Sequence, residues 1–583
     1  MFNECLGDLA RIDLSERNAM DRDHRSSTAH EVHDLRLDIR DSGDDMKSAG
    51  LEATKQTMKG NNGLKMQNSS RPSERNVSMC FLWLLLVSAT ACFGAAPMGW
   101  NSWNSFANIV NSQIVQEQAK ALASNGMKEA GYEYVVIDEG WWLGARDASG
   151  NIVVDPKQWP AIQPGQRAGD MSNIAAYIHS LGLKAGIYTD AGRDGCSMGP
   201  DSGPKLLNTG SEGHYEQDFL QFSKWGFDYV KVDWCGGAKE GRSGAMQYAQ
   251  IVHAIQKAEK ITGRNLYLSI CEWGSQNPWF WGPGVGGIES TIWRTGGDII
   301  PPIVESLHDP EHDKRVITAG NVLYSFDAGL HPEAQHTGYY NDLDMMVMGM
   351  RGMTNSLDRV HMGLWAISSA PLMVGSDLTR LSPATLSLLT NREALAIHND
   401  AYGLQPIKID EPAPGIQIWV KPMAVPGRRA IGILNRTDAS TQVKINWEKL
   451  GLKGTPKSLR DVWNGQNVET ASGTVSVPKH DLALLIVDGD DKSPEEYPAK
   501  GDSITGIKAT SGPTFALLHY ANHSGHVVVV PMKSTSGLST ALALPPTVGS
   551  ETGTIGLILP HGTADLLFDQ QPIAVRKLDV YAW

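Results

Sequence analysis

The stretch FDYVKVDWCGG, Phe227 to Gly237, decides the fold. Phe, Tyr and the two valines have side chains that fit a buried, pleated strand. Lys231 and Asp233 break the run at its far end, and a Gly-Gly pair follows. Residues i and i+2 of a strand face the same way. A buried strand here therefore aims an ammonium and a carboxylate at one spot, which asks for a chemical reason.

The pattern recurs along the chain. PMGWNSW from Pro97, YEYVVIDEGWW from Tyr132, LKAGIYTDAG from Leu183, NLYLSICEWG from Asn265, STIWRTGGDI from Ser290, YYNDLDMMVMG from Tyr339 and APLMVGSDL from Ala370 read as further strands. Helical periods lie between them, at Gln113–Ala130, Ser172–Leu181, Glu212–Trp225 and Ala245–Thr262. Strands alternating with helices imply parallel βαβ units, and eight of them over roughly 300 residues predict a (β/α)8 TIM barrel, an α/β fold. No GxGxxG or GxxxxGK[ST] follows any of these strands, which removes the usual dinucleotide and nucleotide readings.

Almost every candidate strand turns polar only at its C-terminal end. Trp103, Asp138, Glu139, Tyr188, Asp190, Lys231, Asp233, Glu272, Arg294, Asp298, Asp342, Asp344 and Asp377 all sit there. In a barrel those ends converge on the face that carries active sites. Acids after strands also serve as helix N-caps, and for Asp190 and Asp377 both readings stand. Capping does not explain Lys231 beside Asp233 or Arg294 beside Asp298, because a neighbouring cation serves to keep a carboxylate ionised. Schiff-base chemistry would use Lys231 but leaves the carboxylates idle. A metal hydrolase would need histidines at strand ends, yet His214, His308, His312, His331 and His336 fall in expected helices or loops. Glycoside hydrolysis needs two carboxyl groups flanking the scissile bond and uses most of this set. A net charge of -13 argues against nucleic acid as a partner.

The same residues carry a resemblance. PMGWNSWNSF, YVVIDEGWW, GIYTDAG, KVDWCGG, CEWG, WRTGGDI, NDLDMM and WAISSAPLMVGSDL resemble glycoside hydrolase family 27, the α-galactosidase (melibiase) family, from about Ala96 to Asp488. The resemblance implies an exo-acting, retaining enzyme that releases terminal α-D-galactose by double displacement and needs no metal or other cofactor. It implies Asp233 as nucleophile and Asp298 as general acid/base. Trp103, Asp138, Glu139, Tyr188, Lys231, Cys271, Trp273, Arg294 and Met345 are placed around the sugar, with galactose-containing oligosaccharides or polysaccharide side chains as partners. Lys231 is expected to lower the pKa of Asp233. Cys271 and Trp273, sharing a strand face, are expected to line the pocket, with Glu272 on the other face.

Two departures from the family pattern matter. Many relatives read Asp-Asp-Cys-Trp where this chain has Asp138-Glu139-Gly140-Trp141, so one family disulfide is lost, while Cys196 and Cys235 match the other. A glutamate at position 139 resembles the β-L-arabinopyranosidase variant of the family, whose sugar lacks the hydroxymethyl group. That activity, and a non-catalytic sugar-binding relative, are the alternatives.

The flanks complete the expected organisation. Residues 1–65 are polar and read as a leader that is either non-native or disordered. Residues 66–95 read as a signal peptide, with Arg71 and Arg75 before an apolar run from about Met79 to Val87. Export to the periplasm or outside follows, with no membrane span after removal; lipidation at Cys92 and homo-oligomerisation are left open. Residues 96–398 are the barrel. Residues 399–488 are an antiparallel β-sandwich, 489–503 a charged linker, and 504–583 a β-rich segment of unknown role.

Overall fold

The computed structural model describes residues 95–196, 208–300, 316–508, 510–569 and 572–581. The leader, most of the signal region with Cys5, Cys80 and Cys92, and also His308 and His312, lie outside the described residues.

Eight parallel strands form one sheet. They are β1 (Met98–Asn101), β2 (Tyr134–Val136), β3 (Lys184–Asp190), β4 (Tyr229–Asp233), β5 (Tyr267–Cys271), β6 (Thr291–Arg294), β7 (Tyr339–Asp342) and β8 (Leu372–Val374). From β1 to β7 each pairs in parallel with the next, and β8 pairs with β1. An isolated parallel bridge from Met346, in the segment after β7, to Val374 of β8 closes the (β/α)8 barrel.

Strand alternation sorts the side chains. On β4, Val230 and Val232 face outward into the core shared with the surrounding helices. Tyr229 faces inward and joins Tyr134, Val136, Ile292, Tyr340 and Met373 in a cluster inside the barrel. Lys231 and Asp233 continue that inward row upward, so the sequence period of two delivers both to the mouth. The glycines after Asp233 are steric. A Cβ on Gly236 would lie 2.9 Å from Asp190 Oδ1, and one on Gly237 would lie 2.5 Å from the Trp234 ring.

The helices follow the expected spacing, with sharper ends. The first stops at Ser124, short of the expected Ala130, because Gly126 takes φ 93° and turns the chain. Tyr215–Trp225 ends on left-handed Gly226, and Gly244–Thr262 starts from the Ser243 cap and ends on left-handed Gly263. Among the described residues, no helix is long and apolar enough to cross a membrane.

Beyond the barrel the chain is antiparallel β. A six-stranded sheet runs from Ile407 to Asp488, and a hairpin-like pair, Thr441–Lys444 with Thr474–Val477, accompanies it around one apolar core. The last part forms two four-stranded antiparallel sheets that share a core containing Leu518, Val530, Leu542, Leu557 and Leu566. Within the expected linker, Glu495–Pro498 pairs with Ile573–Tyr581, so that stretch belongs to these sheets. Phe515 and Ile558 pack on Leu404 and Ile407, which seats the C-terminal sheets against the rest of the chain.

Candidate active site

Register sets the floor of the site. Lys231 lies level with Tyr188 on β3 and Ser269 on β5, and Asp233 with Asp190 and Cys271. The Lys231 ammonium is 2.8 Å from Asp138 Oδ2, which also accepts from Asn101 Nδ2 at 2.8 Å. Asp233 has different partners: the Tyr188 hydroxyl donates to Oδ2 at 3.0 Å and the Trp234 N–H to Oδ1 at 3.0 Å. The lysine expected beside Asp233 therefore forms its contact ion pair with Asp138 and acts on Asp233 through space. Burial raises the Asp233 pKa; Lys231 opposes it, while Asp298 and Asp138 push it further up. Lys231→Met is expected to move the acid limb of the kcat/KM–pH profile to higher pH, since the main charge holding Asp233 ionised is gone. An unmoved or lowered limb on the residual activity would show that Lys231 does not set this pKa.

The second cluster is built on β6 and the turn after β7. Arg294 donates through one guanidinium nitrogen to Asp298 Oδ1 at 3.2 Å and to the Gly296 carbonyl at 3.0 Å. Its other terminal nitrogen lies 2.9 Å from Asp344 Oδ1 and 3.8 Å from Cys271 Sγ. Asp344 Oδ2 accepts from the Ile299 N–H at 2.7 Å, so one carboxylate holds both the arginine and the backbone just after Asp298. Asp344 sits at φ 78°, a costly conformation for a residue with a side chain. Burial raises its pKa to about 6 against the pull of Arg294. The Asp298 side chain is 56% exposed, whereas those of Arg294 and Asp344 are 3% exposed. Asp344 was not among the residues expected around the sugar; the D-x-D spacing of NDLD at a strand end was its only signal.

The remaining expected residues distribute around these two clusters. Glu139 is buried, and its Oε1 accepts from the Cys196 N–H at 2.8 Å. Cys196 is bonded to Cys235 with Cα atoms 5.2 Å apart, and Cys271 is a free, buried thiol. Met345 belongs to the inner barrel cluster, and Trp103 packs against it. The strand-face argument for Trp273 fails locally, because β5 ends at Cys271 and Trp273 takes φ 57° in the following turn. Glu272 is fully buried and spends its carboxylate on Ser275 Oγ and the Gln276 N–H. Of the histidines, His331 stacks on Trp279, and His336 is buried with its pKa lowered to about 3 by desolvation. Asp190, Cys196 and Cys235 bring three ligand-type atoms together, but the disulfide occupies both sulfurs.

The alpha galactosidase A family model matches residues 95–400. The chain belongs to the α-galactosidase, or melibiase, family. The family's C-terminal β-sandwich domain matches residues 413–487. α-Galactosidase A of Cellvibrio japonicus is 38% identical over 403 residues, covering 67% of this chain and 90% of that protein. The α-galactosidase of Oryza sativa is 35% identical over 400 residues, covering 68% of this chain and 85% of that protein. The crystal structure of α-galactosidase I from Mortierella vinacea superposes with a TM-score of 0.57 at 28% identity, covering 69% of this chain and 99% of its own. The C-terminal sheets, from Glu495 onward, lie beyond both matched regions of this melibiase-family chain.

Proposed function

We propose that this family member is an exo-acting, retaining α-galactosidase that cleaves terminal α-D-galactose from oligosaccharides or polysaccharide side chains. The observation that carries the reading is the unequal pair of carboxyl groups at the barrel mouth. Asp233 is buried among fixed donors, and Asp298 is half-exposed on an arginine clamp. A buried carboxylate with an oriented Tyr188 hydroxyl suits attack on the anomeric carbon. A carboxyl group open to the leaving group suits proton donation first and water activation afterwards. Asp138, held by Lys231 and Asn101, supplies a fixed acceptor for ring hydroxyls. Export fits the Cys196–Cys235 bond, which persists in oxidising compartments.

A second reading, β-L-arabinopyranosidase, is favoured only by Glu139 in place of a shorter acid. Its Oε1 is engaged by the Cys196 N–H, and a Cβ on Gly195 would approach that oxygen to 2.5 Å. The extra methylene thus reaches toward the disulfide loop, which leaves the galactosidase reading ahead. Assayed side by side, the wild type is expected to prefer p-nitrophenyl α-D-galactopyranoside over the β-L-arabinopyranoside. Glu139→Asp, which abandons the Cys196 amide, is expected to lower galactoside kcat/KM about tenfold without reversing that preference. A gain for galactosides relative to arabinopyranosides of ~10–200-fold, the worth of one relieved mismatch, would transfer the assignment.

A further inference from the structure

The helix Ala319–Ala328 follows β6 and buries Val322, Ser325 and Phe326, the last set edge-on against Trp419 at 5.2 Å. Tyr324 and Ala328 are four residues apart and share another face. That face meets the loop carrying Asp298: a Cβ on Gly296 would lie 3.2 Å from Ala328 Cβ and 3.9 Å from Tyr324 Cε1. The Gly296 carbonyl accepts from the guanidinium that also holds Asp298. At Gly297, next to Asp298, an added Cβ would meet no described residue within 4 Å. Tyr324 itself is 58% exposed.

Single exposed aromatic residues are ordinary on protein surfaces. The location and the fixing of this one are not. Its helix is closed by a reciprocal cap between Thr318 and Asn321 and tied to the β-sandwich by the two-pronged pair of Arg436 with Asp327. The ring is therefore presented by a rigid element rather than a loop, as a binding platform requires.

We propose that Tyr324 is the aromatic platform of an aglycone subsite that accepts a pyranose ring. This rests on the α-galactosidase reading, in which Asp298 protonates the glycosidic oxygen. The group on the far side of that oxygen must leave past Asp298, whose loop meets Tyr324 at Gly296. A pyranose offers a C–H-rich face to an aromatic ring while its hydroxyls stay in water, which suits a half-exposed tyrosine. Binding energy gained there is realised before the glycosidic bond breaks, so it enters kcat/KM for substrates with a sugar aglycone.

The test compares melibiose, whose leaving group is glucose, with α-D-galactopyranosyl fluoride, which has no aglycone ring. For Tyr324→Ala, the ratio of kcat/KM on melibiose to that on the fluoride is expected to fall about five- to tenfold, the range of one aromatic contact. Tyr324→Trp, which keeps a platform, is expected to hold the ratio near the wild-type value. An unchanged ratio in Tyr324→Ala, or equal losses on both substrates, overturns the subsite while leaving a wild type active on both. A wild type inactive on both removes the galactosidase reading and the subsite with it.

Discussion

Asp233→Asn is expected to reduce kcat/KM on α-galactosides by about 10⁴-fold or more, the scale of losing a covalent nucleophile. The amide has nearly the shape of the carboxylate, keeps an oxygen for the Trp234 N–H, and removes only the charge that attacks. It should also fold at least as well. Burial already raises the Asp233 pKa, so the native state carries an unfavourable charge that asparagine relieves. The combined result, activity abolished and thermal midpoint unchanged or higher, separates a chemical role from a structural one. In the wild type, a fluorinated galactosyl donor should leave its label on the peptide containing Asp233. A label on Asp138 or Glu272 would reassign the nucleophile.

For Asp298→Ala the expected effect depends on the leaving group. With melibiose, whose departing alkoxide needs a proton, kcat/KM should fall by ~10²–10⁴-fold, the usual contribution of a general acid. With a 2,4-dinitrophenyl galactoside, whose leaving group departs unprotonated, the loss in kcat/KM should be far smaller. Arg294 and Asp344 remain paired in this variant, so the pocket wall stays in place. Added azide should restore turnover on the activated substrate by attacking the galactosyl-enzyme in place of unactivated water. The product should be the α-azide, because two inversions retain configuration. A β-azide, or equal losses on both substrates, would overturn the acid/base assignment.

Much of this was legible in the residues because strand alternation is a local rule. The period of two on Tyr229–Asp233 places Lys231 and Asp233 on the inner wall, and the structure has them there. The order of eight strands and the change to antiparallel β after the barrel followed from periodicity and turn signals in the same way. Local rules failed where the chain leaves regular structure. Alternation does not carry to Trp273, because the strand ends two residues earlier and Trp273 takes φ 57°. Periodicity carried the first helix past Ser124, where a glycine turn stops it.

The residues alone say which carboxylates and cations can reach the barrel mouth, because each lies at or just beyond the C-terminal end of its own strand. How they pair is set by the closed fold. Lys231 pairs with Asp138, which follows β2 two strands away, rather than with its sequence neighbour Asp233, a choice set by how β2, β3 and β4 stand side by side once paired. Asp344 joins Arg294 and the Ile299 amide across 50 and 45 residues of sequence respectively, a link that no local period encodes. Glu139 meets the amide of Cys196 because a loop stapled to β4's end folds back over β2. Pairing depends on distances between separate strands and loops, and those distances exist only once the sheet has closed.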